Sequence, residues 1–142
     1  MKRWTFSRGL GATHALVALV ALAGAGCETS PPPPPPPIAG SAVMDWTISE
    51  SKDAGQCHVG GATTFHVVLY DSSGGFAGEW VQDCSALATT IDGLAPDTYT
   101  GQADLLDANG QPRTTQVNLA AFDVVGNATV TVPIDFPSNS FY

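Results

Sequence analysis

Asp92-Gly-Leu-Ala-Pro-Asp-Thr-Tyr99 runs straight into Thr98 to Leu106, and the two together read as a turn feeding a long strand. Pro96 presets its own φ for the turn and Asp97 belongs to the small set of turn-forming residues. Strand geometry alternates side chains between two faces, so Tyr99 shares a face with Gly101, Ala103 and Leu105. A tyrosine in that place is apolar enough for a core. Its hydroxyl can bond back to the turn backbone, the arrangement found at the tyrosine corner of sandwich domains.

Outward from this stretch the pattern repeats. Asp107-Ala-Asn-Gly110 predicts a hairpin turn, with Asn-Gly supplying the positive φ pair of a type I′ loop. Thr114 to Leu119 and Phe122 to Val125 read as short strands. Gly126-Asn127 turns the chain again, and Ala128 to Phe136 alternates strictly, with Val130, Val132, Ile134 and Phe136 inward and Thr129, Thr131 and Asp135 outward. Pro133 has no amide donor, so its strand belongs at an edge or carries a bulge. Upstream, Val43 to Ile48 and Thr64 to Tyr70 read as strands, the second with Phe65, Val67 and Leu69 on one face. The segment between them, Ser49 to Thr63, reads as a polar loop. Asp71-Ser-Ser-Gly-Gly75 reverses the chain, Glu79 to Cys84 returns, and Leu87 to Ile91 adds a short strand. No window of helical length shows capped 3.6-residue periodicity, and short β-rich runs between Gly, Pro, Asn and Asp point to a sandwich or barrel.

The segment Gly93-Leu-Ala-Pro-Asp-Thr-Tyr99 resembles the Gly-Leu-x-Pro-Gly-x-Tyr stretch of carboxypeptidase regulatory-like and other transthyretin-like sandwiches, with Asp97 in the place of the second glycine. The resemblance implies an all-β fold: a single antiparallel Ig-like or transthyretin-like β-sandwich of about seven strands. It implies a fold and no activity.

The N-terminus reads as an export signal, since Lys2, Arg3 and Arg8 precede the apolar core Leu16 to Leu22. That core is too short for a lasting membrane helix, which needs about 20 apolar residues. Ala23-Gly-Ala-Gly26 followed by Cys27 resembles the lipobox of bacterial lipoproteins, in which the cysteine becomes the acylated first residue. Ala23-Gly-Ala25 also fits ordinary signal cleavage, which would give a secreted or periplasmic protein. Cysteine parity favours the anchor: lipidation of Cys27 leaves Cys57 and Cys84 for one disulfide in an oxidising compartment. A bridge closing that loop stabilises by about 3.5 kcal/mol in the chain-entropy model. Glu28 is not the aspartate that resembles an inner-membrane retention signal, so the expected location is the outer membrane or cell surface.

Pro31 to Pro37 is unbroken proline, which locks every φ and forms a polyproline II rod. At about 3.1 Å per residue it is a stiff spacer roughly 20 Å long. The expected organisation is therefore a signal peptide over 1–26, anchor cysteine and spacer over 27–40, and a β-sandwich domain over 41–142. From Cys27 onward all 13 acidic residues remain, opposed by Lys52 and Arg113 alone. Such a surface excludes nucleic acid and anionic lipid faces as partners, because both are bound through Lys and Arg.

Residues with catalytic or ligating chemistry do not assemble into a known pattern. Cys57, His58, His66 and Cys84 have zinc-binding atoms, but without CxxC or HxxxH spacing. His66, Asp71 and Ser85 are triad ingredients with no nucleophile elbow around any serine. Glu79 and Asp83 lie about 13 Å apart along one strand, too far for a glycosidase pair. Asp104, Asp107 and Asn109 do not fit a calcium loop. The chain therefore reads as a non-catalytic module with no cofactor or metal, presenting an interaction surface to a protein partner.

The alternative is a glycan-binding module using exposed aromatics. Trp80, Trp46 and Tyr70 are the candidate platforms, with Tyr142 a further exposed ring. Trp46 has a competing place in the core, since a tryptophan early in a sandwich strand packs on the opposite sheet.

Overall fold

The computed structural model describes residues 32–142. The expected signal peptide over 1–26, the expected anchor Cys27 and the first proline of the run, Pro31, lie outside the described residues. Pro32–Pro37 are exposed and belong to no strand or helix. Seven strands follow: β1 (Gly40–Ile48), β2 (Thr64–Tyr70), β3 (Phe76–Asp83), β4 (Ala88–Leu94), β5 (Asp97–Leu106), β6 (Val117–Val124) and β7 (Thr129–Phe136). They form two sheets, β4-β1-β7 and β3-β2-β5-β6, and the chain is an all-β sandwich as its alternation predicts.

Each sheet turns its apolar face inward. Ala42, Met44, Trp46 and Ile48 of β1 are buried, as are Phe65, Val67 and Leu69 of β2 and Val132, Ile134 and Phe136 of β7. Trp46 joins the layers: its ring stacks on Phe65 at 4.0 Å with an interplanar angle of 2°, and Phe136 meets Phe65 edge-on at 6.3 Å. The indole N–H, which would be costly to bury alone, donates to the Cys84 carbonyl at 3.0 Å. Truncating an aromatic in such a place costs about 3–5 kcal/mol.

The tyrosine corner is present. Tyr99 is buried, its hydroxyl donates to the Ala95 carbonyl at 2.9 Å, and its ring lies against Phe122. The left-handed residue of this segment is Gly93, at φ 79°, and not Asp97. Asp97 instead opens β5 and accepts from the Thr98 and Ser72 amides, which ties the β2–β3 turn to the β4–β5 turn.

Four further details differ from the sequence reading. β1 and β7 run parallel, because β7 arrives by a crossover from β6 in the other sheet and no hairpin sets its direction. Its place at the sheet edge accommodates Pro133. β6 is one strand, since a bulge opposite Tyr99/Gly101 absorbs an extra residue where two strands were expected. Thr114 lies outside it, its buried hydroxyl accepting from the Leu105 amide. The loop after β1 contains a helical turn, α1 (Gly55–Val59), begun by the Asp53 carboxylate accepting from the Gly55 amide.

The Asp107 turn is also of another type. Only Gly110 has positive φ; Gly110 donates to Asp107 O and Asp107 to Gln111 O, which makes a three-residue loop closed by a left-handed glycine. The Asp71 turn is built the same way around Gly74.

Candidate functional site

The alternation that buries Phe65, Val67 and Leu69 turns His66, Val68 and Tyr70 to the outer face of the four-stranded sheet. Strand register lays out this face in rows. One row crosses Val81, His66 and Asp104; the next crosses Glu79, Val68, Gln102 and Asn118; the third crosses Phe76, Tyr70 and Thr100. A bulge between Leu69 and Tyr70 brings Phe76 opposite Tyr70. Phe76 is 65% exposed and Val81 63%, while Tyr70 is half-buried. The face is therefore an aromatic row beside a polar one.

The polar groups are held in place by one another. His66 Nδ1 lies 2.6 Å from Asp104 Oδ1 and Nε2 lies 2.9 Å from Glu79 Oε1. Asp104 is 5% exposed, and the imidazole against it supplies the partner that a buried carboxylate needs. Gln102 Nε2 donates to Asn118 Oδ1 at 3.2 Å, and the Gln102 carbonyl oxygen and the Asn118 amino group have no other partner among the described residues. Thr98 Oγ1 donates to Asp123 Oδ1 at 2.6 Å beyond the aromatic row. At the same end, hydrogen bonds from Ser72 and the Thr98 amide hold the Asp97 carboxyl below its ordinary range.

Among the aromatic residues marked out in the sequence, Tyr70 alone stands on this face. Trp46 is fully buried and has no surface to offer a ligand, which corrects its candidacy as a platform. Trp80 pairs in register with the buried Val67, so it faces the other side of the sheet, half-buried over Gly78 and packed against the core. Tyr70 and Trp80 thus lie on opposite faces, and the three rings do not form one platform. Tyr142 is exposed at the far end of the chain. The sequence does not mark out Phe76, because its alternation begins this strand at Glu79 and a period-two pattern cannot show the bulge that re-aims it.

Cys57 and Cys84 form the expected disulfide, which joins α1 to the end of β3 with a Cα–Cα distance of 6.0 Å. The triad ingredients stay apart: Asp71 accepts from Ser73 and Gly75, Ser85 donates to Asp83, and His66 is held between Asp104 and Glu79. Asp104 and Asp107 are likewise committed to different partners, His66 and the Asn109 and Gln111 amides. Among the described residues no group of three His, Cys, Asp or Glu side chains is arranged to hold a metal ion. A shallow depression of about 190 Å³ lies between α1 and the chain end, lined by Ile48, Val59 and Phe141 among others, away from the aromatic face.

Comparison with family models and with curated proteins finds no match. Among solved structures, a DUF1812 protein from Bacteroides thetaiotaomicron, for which polysaccharide binding has been suggested, is similar at 11% identity and a TM-score of 0.38. The likeness covers 66% of this chain and 46% of that one, so this chain spans under half the length of that neighbour.

Proposed function

We propose that this chain is a non-catalytic interaction module, tethered through a lipid on Cys27 to an outer membrane or cell surface and held off it by the polyproline spacer. Its contact surface is the outer face of the β3-β2-β5-β6 sheet. The observation that carries this reading is the pairing of Tyr70 with the exposed Phe76, next to Val68, Val81 and the Glu79-Gln102-Asn118 row. Aromatic rings with a polar rim of positioned hydrogen-bonding groups are what specific contact surfaces present. A non-catalytic role is supported by the commitments of the titratable groups: both nitrogens of His66 face carboxylates, and Asp71 and Asp83 are engaged in their own turns.

Two measurements test the reading. The intact mass of the chain purified from membranes in detergent is expected to begin at Cys27 with added acyl mass; a chain beginning at Gly26 without lipid ends the tethered reading. A photo-crosslinking residue at position 76, compared in cells with one at the exposed Thr131 of the other sheet, is expected to capture its partner at 76. Equal capture at both positions, or none at 76, removes this face as the contact surface.

A further inference from the structure

We propose that the outer face of the β3-β2-β5-β6 sheet binds an uncharged glycan, with sugar rings stacked on Tyr70 and Phe76 and their hydroxyls bonded by Gln102, Asn118 and Glu79. The proposal rests on the contact-surface reading above and names the chemistry of the ligand.

Its first support is geometric. Tyr70 and Phe76 are cross-strand partners, and the row beside them carries Glu79, Val68, Gln102 and Asn118. Diagonal neighbours on adjacent strands lie about 7–8 Å apart. A ring resting on Tyr70 therefore has the Gln102 side chain within reach at its edge. Aromatic faces suit the apolar C–H surface of a pyranose, and amide oxygens and amino groups suit its hydroxyls, which both donate and accept. The Gln102–Asn118 bond fixes the two amides and uses one donor and one acceptor of the four kinds available, leaving the Gln102 oxygen and the Asn118 amino group free. Among the described residues the Tyr70 hydroxyl has no hydrogen-bond partner and adds a third such group. The rows succeed one another along the strands, so the face offers contacts to an extended chain of rings rather than to a single one.

Charge selects the class of glycan. The face carries Glu79, Asp104 and, beyond the aromatic row, Asp123. The two lysine and arginine side chains among the described residues are committed elsewhere: Lys52 pairs with Asp45, and Arg113 Nε donates to the Gly60 carbonyl. A uronate or sulfated polymer would bring anions against carboxylates with no lysine or arginine to receive them. A polycation is less well served than a neutral chain, because Asp104 is buried and both Asp104 and Glu79 already share His66. What remains turned to solvent is the aromatic rings, the neutral amides and the outer part of the Glu79 carboxylate, which accepts from a sugar hydroxyl as readily as an amide oxygen does.

The test is affinity electrophoresis of the full mature chain, in detergent, through native gels containing a neutral β-glucan, a neutral galactomannan, polygalacturonate or chitosan. Retardation by at least one neutral polymer and none by polygalacturonate is expected. Tyr70→Ala and Phe76→Ala are expected to weaken that retardation about tenfold each, and Thr131→Ala on the other sheet to leave it unchanged. Because these side chains lie on the outer face, the melting temperature of each variant serves to show that the fold is intact. Retardation by polygalacturonate or chitosan equal to that by the neutral polymers overturns the ligand class, and so does retardation by none. Binding that survives both Tyr70→Ala and Phe76→Ala overturns the site. If no polymer is retarded while a photo-crosslinker at position 76 captures a protein, the glycan proposal falls and the contact-surface reading stands; if both fail, both fall.

Discussion

Asp71 and Asp107 each occupy the first position of an Asp-x-x-Gly-x turn and perform the same task. The carboxylate of Asp107 accepts from the Asn109 and Gln111 amides, and that of Asp71 from the Ser73 and Gly75 amides. Hydrogen bonds to Gln111 and Asn109 hold Asp107 below the ordinary aspartate value of 3.8, and the Ser73 hydroxyl and Gly75 amide do so for Asp71. Asp83, bonded by Ser85, and Asp97, bonded by Ser72, shift the same way. With the folded values depressed, the unfolded chain takes up protons first as pH falls. Their stabilisation is full above the ordinary aspartate range and is lost as pH falls through the lowered folded values. Urea midpoints are expected to be level from pH 7 to about 5 and to fall below about pH 4. Asp107→Asn keeps an acceptor oxygen and removes the titration, so it should flatten part of that fall. An unchanged acid slope in the variant would assign the effect to other groups.

At the scale of elements, α1 and the end of β3 have few means of holding together apart from the Cys57–Cys84 bridge. Both cysteines are buried, and the bridge spans a sequence separation of 27. Replacing both by serine is expected to lower the unfolding free energy by about 3.5 kcal/mol in the chain-entropy model, read from urea denaturation without reductant. A loss under 1 kcal/mol would mean that α1 is held by packing instead. The strands themselves were largely legible: β2 matches its expected span, and the alternation of β7 places Val132, Ile134 and Phe136 in the core. Phe76, the bulge beside it and the single continuous β6 were not. A bulge adds one residue to one strand of a pair, and only the partner strand reveals it.

For the whole molecule, the two-layer arrangement decides which rings meet solvent. Trp46 and Trp80 are the tryptophans of the described chain, the first sealed between the sheets and the second half-buried at an edge. In Trp80→Phe of a chain beginning at Cys27, which lacks Trp4, the remaining fluorescence comes from Trp46 and is expected to be blue-shifted and resistant to acrylamide, whereas the same chain with Trp80 retains a quenchable fraction. Ready quenching in that variant would contradict the Trp46–Phe65 stack as the centre of the core. The same layering leaves the outer face of the four-stranded sheet uncovered by any other strand or helix among the described residues, with its aromatic row and its polar row side by side.

The amino-acid sequence by itself determined where most of the strands lie, where the chain reverses, that Tyr99 makes a corner, and that Cys57 and Cys84 pair. Those properties are local, carried by period-two alternation, by turn residues and by cysteine parity. Tertiary structure alone decided that β7 lies parallel to β1, that Trp80 and Tyr70 point to opposite sides, and that His66 meets Asp104 from 38 residues away. Those outcomes depend on strand neighbours, bulges and register, which are settled when two apolar sheet faces close on one another and not by any residue's immediate surroundings.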